Sequence, residues 1–418
     1  MTTVEVPTLL WYGTRNITLD FPSNWIITKC EMNGANLPSM TTDSLKAAIE
    51  HPIKSLQLGK LARKRSEVAI VIDDMTRPTR PSIILPYILQ ELQTNGISRD
   101  HIRFIIGLGA HGTIYRRDYV KKLGENVAEE YPVWNHNVFG NHQYLGETKL
   151  GTPMEINAEF MSCDLKIAIG GIVPHPLTGF GGGAKIITPG VSSLKTINHN
   201  HINVGLSGPK GTPHPTIGWG KINNIMMQDN EEIALHAGLD FKIDMVFNAS
   251  AQPVGLFAGE VSAEFHNGVE MAKYVYATET PSAVDIVVAN NYFKSNEASL
   301  ALGIAREIVR EGGTIVLIAF NPEGQVPHYS VGKWGKTVGG ALFNQRRHLA
   351  TTPRYENLII FSPHKQIDPT LPIGNPETQL WVKTWKEVIE ELQKLHPSNP
   401  TVAIFPTAEV QRPLWHPN

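Results

Sequence analysis

Apolar positions along this chain fall into two patterns that alternate. Residues 67–74, EVAIVIDD, are continuously apolar before two closing acids, as expected of a strand buried on both faces. In residues 82–96, SIILPYILQELQTNG, the residues Ile84, Leu85, Ile88, Leu89 and Leu92 recur at helical spacing, and Asn95-Gly96 supplies a stop. Further strands are predicted at HIRFIIG (101–107) and DLKIAIGG (164–171). After about residue 275 the rhythm restarts. ETPSAVDIVVAN (279–290), TIVLIAF (314–320), NLIIFSP (357–363) and TVAIFPT (401–407) read as strands. EASLALGIAREIVREGG (297–313) and PETQLWVKTWKEVIEELQKLH (376–396) read as helices.

Strands alternating with helices imply parallel pairing through right-handed crossovers. The expected fold is therefore α/β, with two α/β domains and mainly parallel sheets: residues 1–275, and a smaller unit at 280–418. Ligands of such sheets sit beyond the carboxyl ends of the strands, and a cleft between two such domains is the expected active site. Asp74, Arg77, His111 and His175 each follow a predicted strand end, so one rim would gather them.

Composition narrows the partners. The 418 residues are 41% apolar, enough for two cores, and 37 basic against 39 acidic residues leave a formal charge of -2. That balance offers neither a nucleic-acid stripe nor a polybasic membrane patch. The first residues lack a signal-peptide pattern, and no run of about 18 apolar residues occurs. Cys30 and Cys163 are too few for a disulfide framework or a four-cysteine zinc site, and each can serve as a small buried hydrophobe. A cytoplasmic protein is expected.

The stretch HPLTGFGGGAKIITPG (175–190) carries the chemistry. Glycines 181–183 indicate a close backbone approach. A Walker loop fails at Ala184 and Ile186, which occupy the places of the last glycine and the hydroxyl residue. A dinucleotide fingerprint fails because KIITPG is a poor helix start. What remains is Lys185, uncrowded by its glycine neighbours and suited to covalent attachment. His175 precedes it and His201 follows it in LKTINHNH. A lone histidine is more often surface or core than functional, so spacing has to decide. His136 and His142, beside Trp134 and Phe139, read as packing residues.

DMTRP (74–78), GAHGT (109–113) and PHPLTGFGGGAKIITPGVSSLKTINHNH (174–201) together resemble the signature of the nickel-dependent lactate racemase family. GLFAGEV (255–261) and EGGTIVLIAF (311–320) extend the likeness over most of the chain. The resemblance implies a racemase or epimerase of a 2-hydroxy acid that holds a nickel pincer nucleotide, pyridinium-3,5-bisthiocarboxylic acid mononucleotide nickel. By that likeness Lys185 tethers the cofactor, and His201 ligates nickel in preference to its neighbour His199. His111 and His175 form an acid/base pair. Asp74, Gly182 and Gly183 belong to the cofactor site, and Arg77 grips a substrate carboxylate. Cofactor-making enzymes would be needed as partners. The bland alternatives are an Asx-turn for Asp74 and a plain ion pair for Arg77.

One region departs from the family. Where a GG-x-P-x-D stretch is common, this chain reads ANNYFKSNEAS (289–299), with Lys294 as a candidate cation for the substrate. The departure bears on substrate, so lactate, a larger or more polar 2-hydroxy acid and a C2-epimerised sugar acid all stay open. Two other readings also remain: a non-catalytic carrier or maturation protein for the nickel nucleotide, and a pyridoxal-type enzyme using Lys185 as a Schiff base.

Overall fold

The computed structural model describes residues 1–330, 354–364 and 379–414. Two six-stranded sheets organise the chain. The first runs Pro253–Gly259, Phe241–Phe247, Leu165–Gly171, Val68–Asp73, Ile102–Gly107, Val133–Asn135, parallel except for the edge strand Pro253–Gly259. Its central strands are buried along their whole length, which is why they read as continuous apolar runs. The helix Leu85–Thr94 follows the first of them, with Pro86 in its opening turn.

The second sheet is parallel throughout, in the order Gln379–Val382, Tyr355–Phe361, Val309–Ile318, Val284–Asn290, Thr401–Phe405, Ile26–Lys29. Its last strand comes from the N-terminus, which the sequence reading had grouped with the first sheet. Val6, Leu19, Phe21 and Trp25 join Ile286, Val288 and Val316 in one core on this sheet, and the other face packs on Leu302, Ile304 and Ala305. A local pattern does not reveal that partnership, because a short half-exposed strand such as Ile26–Lys29 looks the same against any edge.

Two predicted helices are shorter than expected. The expected helix 297–313 is a turn at Ala298–Ala301 and a helix at Leu302–Ile308; at Val309 the chain already pairs with Val284. A shift of register follows, with Gly312 at φ +72°, so the glycines read as a helix stop lie inside a strand. The expected helix 376–396 holds a strand at Gln379–Val382 and begins only at Trp385, its start 376–378 lying outside the described residues. Thr384 and Glu387 form a reciprocal capping box there, a stronger start signal than the apolar spacing before it.

Candidate active site

The loops that leave the carboxyl ends of three neighbouring strands build the site. Lys122, fully buried, donates from Nζ to Asp73 Oδ1 at 2.5 Å, to Thr79 O at 3.1 Å and to Arg77 O at 3.2 Å, and so holds the Asp74–Arg77 loop from beneath. Asp74 is equally buried. Its Oδ1 accepts the Thr76 amide at 2.9 Å, the expected Asx-turn, while Oδ2 meets His111 Nδ1 at 2.6 Å. The turn and the histidine contact therefore coexist, one on each oxygen.

His111 is held as a base. Its Nδ1 proton points at Asp74, which leaves the Nε2 lone pair for chemistry, the arrangement by which a carboxylate orients a general base. Burial disfavours the imidazolium, but the Asp74 and Glu297 carboxylates outweigh it and raise the His111 pKa. The same contact, against burial, holds Asp74 well below the usual carboxylate range. Asp74→Asn should therefore shift the His111 titration to lower pH, followed by NMR of its imidazole in the apoprotein. The same change should slow turnover roughly 10- to 100-fold, as loss of an orienting partner does. An unmoved titration would remove Asp74 from this role.

His175 is the electrostatic opposite. Burial, then Lys185, Lys294, Arg77 and His201, push its pKa well below the ordinary imidazole value, so it stays neutral. Its Nδ1 accepts the Leu177 amide at 3.2 Å and the Thr178 amide at 3.3 Å, which leaves the proton on Nε2, while the Thr178 hydroxyl, 3.1 Å away, gives its own proton to Phe180 O at 2.8 Å. One histidine thus offers a lone pair and the other an N–H.

Lys185 sits in a short turn, Gly183–Ile186, and no α-helix opens there. Asp244 anchors that turn by accepting the Gly183 amide at 2.5 Å, and Lys242 Nζ holds Asp244 at 2.5 Å. The glycines have a local cause. Gly182 (φ +90°) would place a Cβ 2.8 Å from Ile172 and 2.9 Å from Asp244, and Gly183 (φ +52°) one 2.7 Å from Phe265. The crowding is with the protein's own core, rather than with the space a nucleotide would take; Gly182 lines the cavity and Gly183 lies behind it. Burial, then Arg77, push the Lys185 amine down to about 7.

His201 lies in a π-helical stretch, His199–Val204, whose wider turn is frequent at functional positions. Its Nδ1 donates to Ile197 O at 2.9 Å, so Nε2 is the lone-pair nitrogen. His199 instead meets Thr152 Oγ1 at 3.0 Å and lines a separate shallow groove.

These side chains converge on one cavity of about 380 Å³. Asp74, Arg77, His111, His175, Lys185 and His201 all line it, and much of its floor is bare backbone at Gly107, Gly109, Gly170, Gly171, Gly182 and Gly190. The second half of the chain contributes Glu297, Ser299, Leu300, Arg306, His328 and Ser330. Arg77 Nη1 donates to Glu297 Oε2 at 2.9 Å, the ion pair foreseen as its alternative role. Lys294 is fully buried and stands behind the wall, its amine without a hydrogen bond among the described residues and pushed down to about 7 by burial, then by Arg77.

Glu297 and His328 are among the lining residues that the sequence reading did not single out. Glu297 lay inside a predicted helix, and the ring of His328 packs 5.0 Å from that of His111 in a T-shaped contact. Nothing in NPEGQVPHYS (321–330) marks that histidine, since its partner is brought to it only by the fold. His136 is the buried packing residue, its Nε2 donating to Ser192 O at 2.9 Å, while Trp134 and Phe139, expected to pack, are more than half exposed. Both cysteines are free and buried. Among the described residues, no helix is long and apolar enough to cross a membrane, and no cluster of three or more His, Cys, Asp or Glu side chains is placed to hold a metal ion.

Comparison with known proteins gives one consistent answer. Residues 12–211 match the model of the lactate racemase N-terminal domain. The lactate racemase of Thermoanaerobacterium thermosaccharolyticum is 28% identical over 295 residues, 70% of this chain and 67% of that relative. The lactate racemase of Lactiplantibacillus plantarum is 27% identical over 66% of this chain and 65% of its own. In structure, the chain is similar to the lactate racemase apoprotein from T. thermosaccharolyticum, with a TM-score of 0.73 at 22% identity over 98% of this chain and 99% of that one. A Thermotoga maritima protein shares the fold with a TM-score of 0.65 at 18% identity, over 90% of this chain and 98% of its own.

Proposed function

We propose that the chain is an isomerase of the lactate racemase kind to which it is similar, and that it inverts C2 of a small 2-hydroxy acid with the help of a nickel pincer nucleotide. One observation carries the reading: Lys185, His201, His111 and His175, from separate stretches of sequence, line the same cavity. The residues suit the cofactor. The Lys185 amine, pushed down to about 7 and without a hydrogen bond among the described residues, is a ready nucleophile for attachment. His201 presents the lone pair of Nε2, and a single protein donor is enough for a metal whose other ligands come with the nucleotide. The bound group would supply the acceptor and donor for the hydrogen at C2.

The protein's own part is proton handling and orientation. His111 Nε2 takes the hydroxyl proton of one enantiomer, while His175 Nε2–H faces the substrate oxygen from its own loop. Arg77, backed by Lys294, draws the carboxylate into a positive corner. A Schiff-base enzyme would use the same lysine but gives His201 no task. The test is a panel of single-enantiomer 2-hydroxy acids offered to protein made alongside nickel-nucleotide biosynthesis enzymes. Appearance of the opposite enantiomer from at least one acid, together with bound nickel, is expected. Nickel-loaded protein that inverts none would leave the carrier reading, and a pyridoxal absorbance without nickel would leave the Schiff base.

A further inference from the structure

Among the described residues three carboxylates line the cavity, and two are fully engaged. Asp73 is held by Lys122 and by Thr79 Oγ1 at 2.7 Å, and Asp74 by His111 and Thr76. Glu297 differs: Arg77 takes Oε2, whereas Oε1 stands 3.8 Å from His111 Nε2, beyond hydrogen-bonding distance. We propose that Glu297 Oε1 accepts a hydrogen bond from a hydroxyl on C3 of the substrate, so that the preferred substrates are 2,3-dihydroxy acids and their longer polyhydroxy relatives. This rests on the 2-hydroxy acid reading, which sets the substrate's 2-hydroxyl at His111 Nε2. A vicinal hydroxyl then falls beside Oε1, where an ionised carboxylate makes a strong, charge-assisted hydrogen bond. Burial works against ionisation of Glu297, but Arg77, Lys294 and His111 outweigh it and lower its pKa. The methyl group of lactate would leave that acceptor unmet, and the second carboxylate of a dicarboxylic acid would be repelled. Glu297 also falls in the stretch where this chain departs from the family's common pattern, the place where a change of substrate is expected to show.

Lactate, glycerate and malate make a matched panel, because they differ only in what C3 carries. With the nickel-loaded enzyme, kcat/KM for glycerate should exceed that for lactate roughly 10- to 100-fold, the range of one hydrogen bond to a charged group. Glu297→Leu should bring that ratio close to one, and Glu297→Gln should keep part of it while admitting malate. A partner whose only task is to hold Arg77 would lower all three substrates together, so an unchanged ratio in Glu297→Leu overturns the proposal, as does a parent enzyme that favours lactate. Calorimetric binding of glycerate and lactate to the apoprotein separates the two layers. Glu297-dependent preference for glycerate without turnover of any acid keeps this assignment and sinks the racemase reading. Turnover of lactate with no preference for glycerate does the reverse.

Discussion

Lys185→Ala protein, made alongside the nickel-nucleotide enzymes, should carry no mass adduct and show no racemisation, whereas the parent chain should show both. The amine is the only part of the residue that matters for this outcome. It lies at the end of a turn clamped by Asp244 and lines the cavity, and burial with the nearby Arg77 keeps it neutral in a large fraction of molecules near pH 7. Lys185→Arg is the sharper control. It restores a positive charge but not a nucleophile, since a guanidinium stays protonated, so it should be as inactive as alanine. Neither change removes a side-chain hydrogen bond among the described residues, and a melting curve should shift little. Intact mass read with and without the substitution decides the matter: a parent chain that turns over without an adduct would sink the tether.

His111→Ala and His175→Ala should each cut racemisation by about 10²–10⁴, the range for losing a positioned acid or base, while adduct and nickel content stay in place. Their different environments make a finer prediction. His111 already presents a lone pair at Nε2, but neutral His175 carries its proton there and must release two amide donors from Nδ1 before it can act as a base. The equilibrium constant between enantiomers is one, so steady-state kcat/KM must match in the two directions and hides this asymmetry. A single turnover does not. Acid quench of the parent enzyme should show 2-oxo acid forming faster from one enantiomer than from the other. His111→Ala should abolish the fast one, and His175→Ala the slow one. Two variants with the same preference, or either with near-normal turnover, would reduce one histidine to a structural part.

The strands were legible because parallel strands buried on both faces leave almost nothing polar in the run; VAIVID has only its closing Asp73 and LKIAIGG only the partly exposed Lys166. The residues that follow them were legible for the same reason, since the strand end marks the rim of an α/β sheet. Asp74, Arg77, His111, His175, Lys185 and His201 line one cavity, although their separate stretches carry no trace of mutual distance.

Sequence by itself thus determined the buried strands of both sheets and which side chains emerge at their ends, because both follow from local periodicity and from residue chemistry, but not the limits of the helices at 302–308 and 385–395. Only the tertiary structure decided partners and protonation. Asp74 meets His111, and backbone amides meet His175, so two residues of one type become a base and a donor. The same holds for the glycines at 182 and 183, whose constraint comes from Ile172, Asp244 and Phe265. Glu297 reaches Arg77 across more than half of the chain, and the N-terminal strand Ile26–Lys29 reaches Thr401–Phe405 across nearly all of it. Such contacts depend on which surfaces the folded sheets bring together, and a pKa depends on the charges and burial that result. Neither quantity is written in the residues next door.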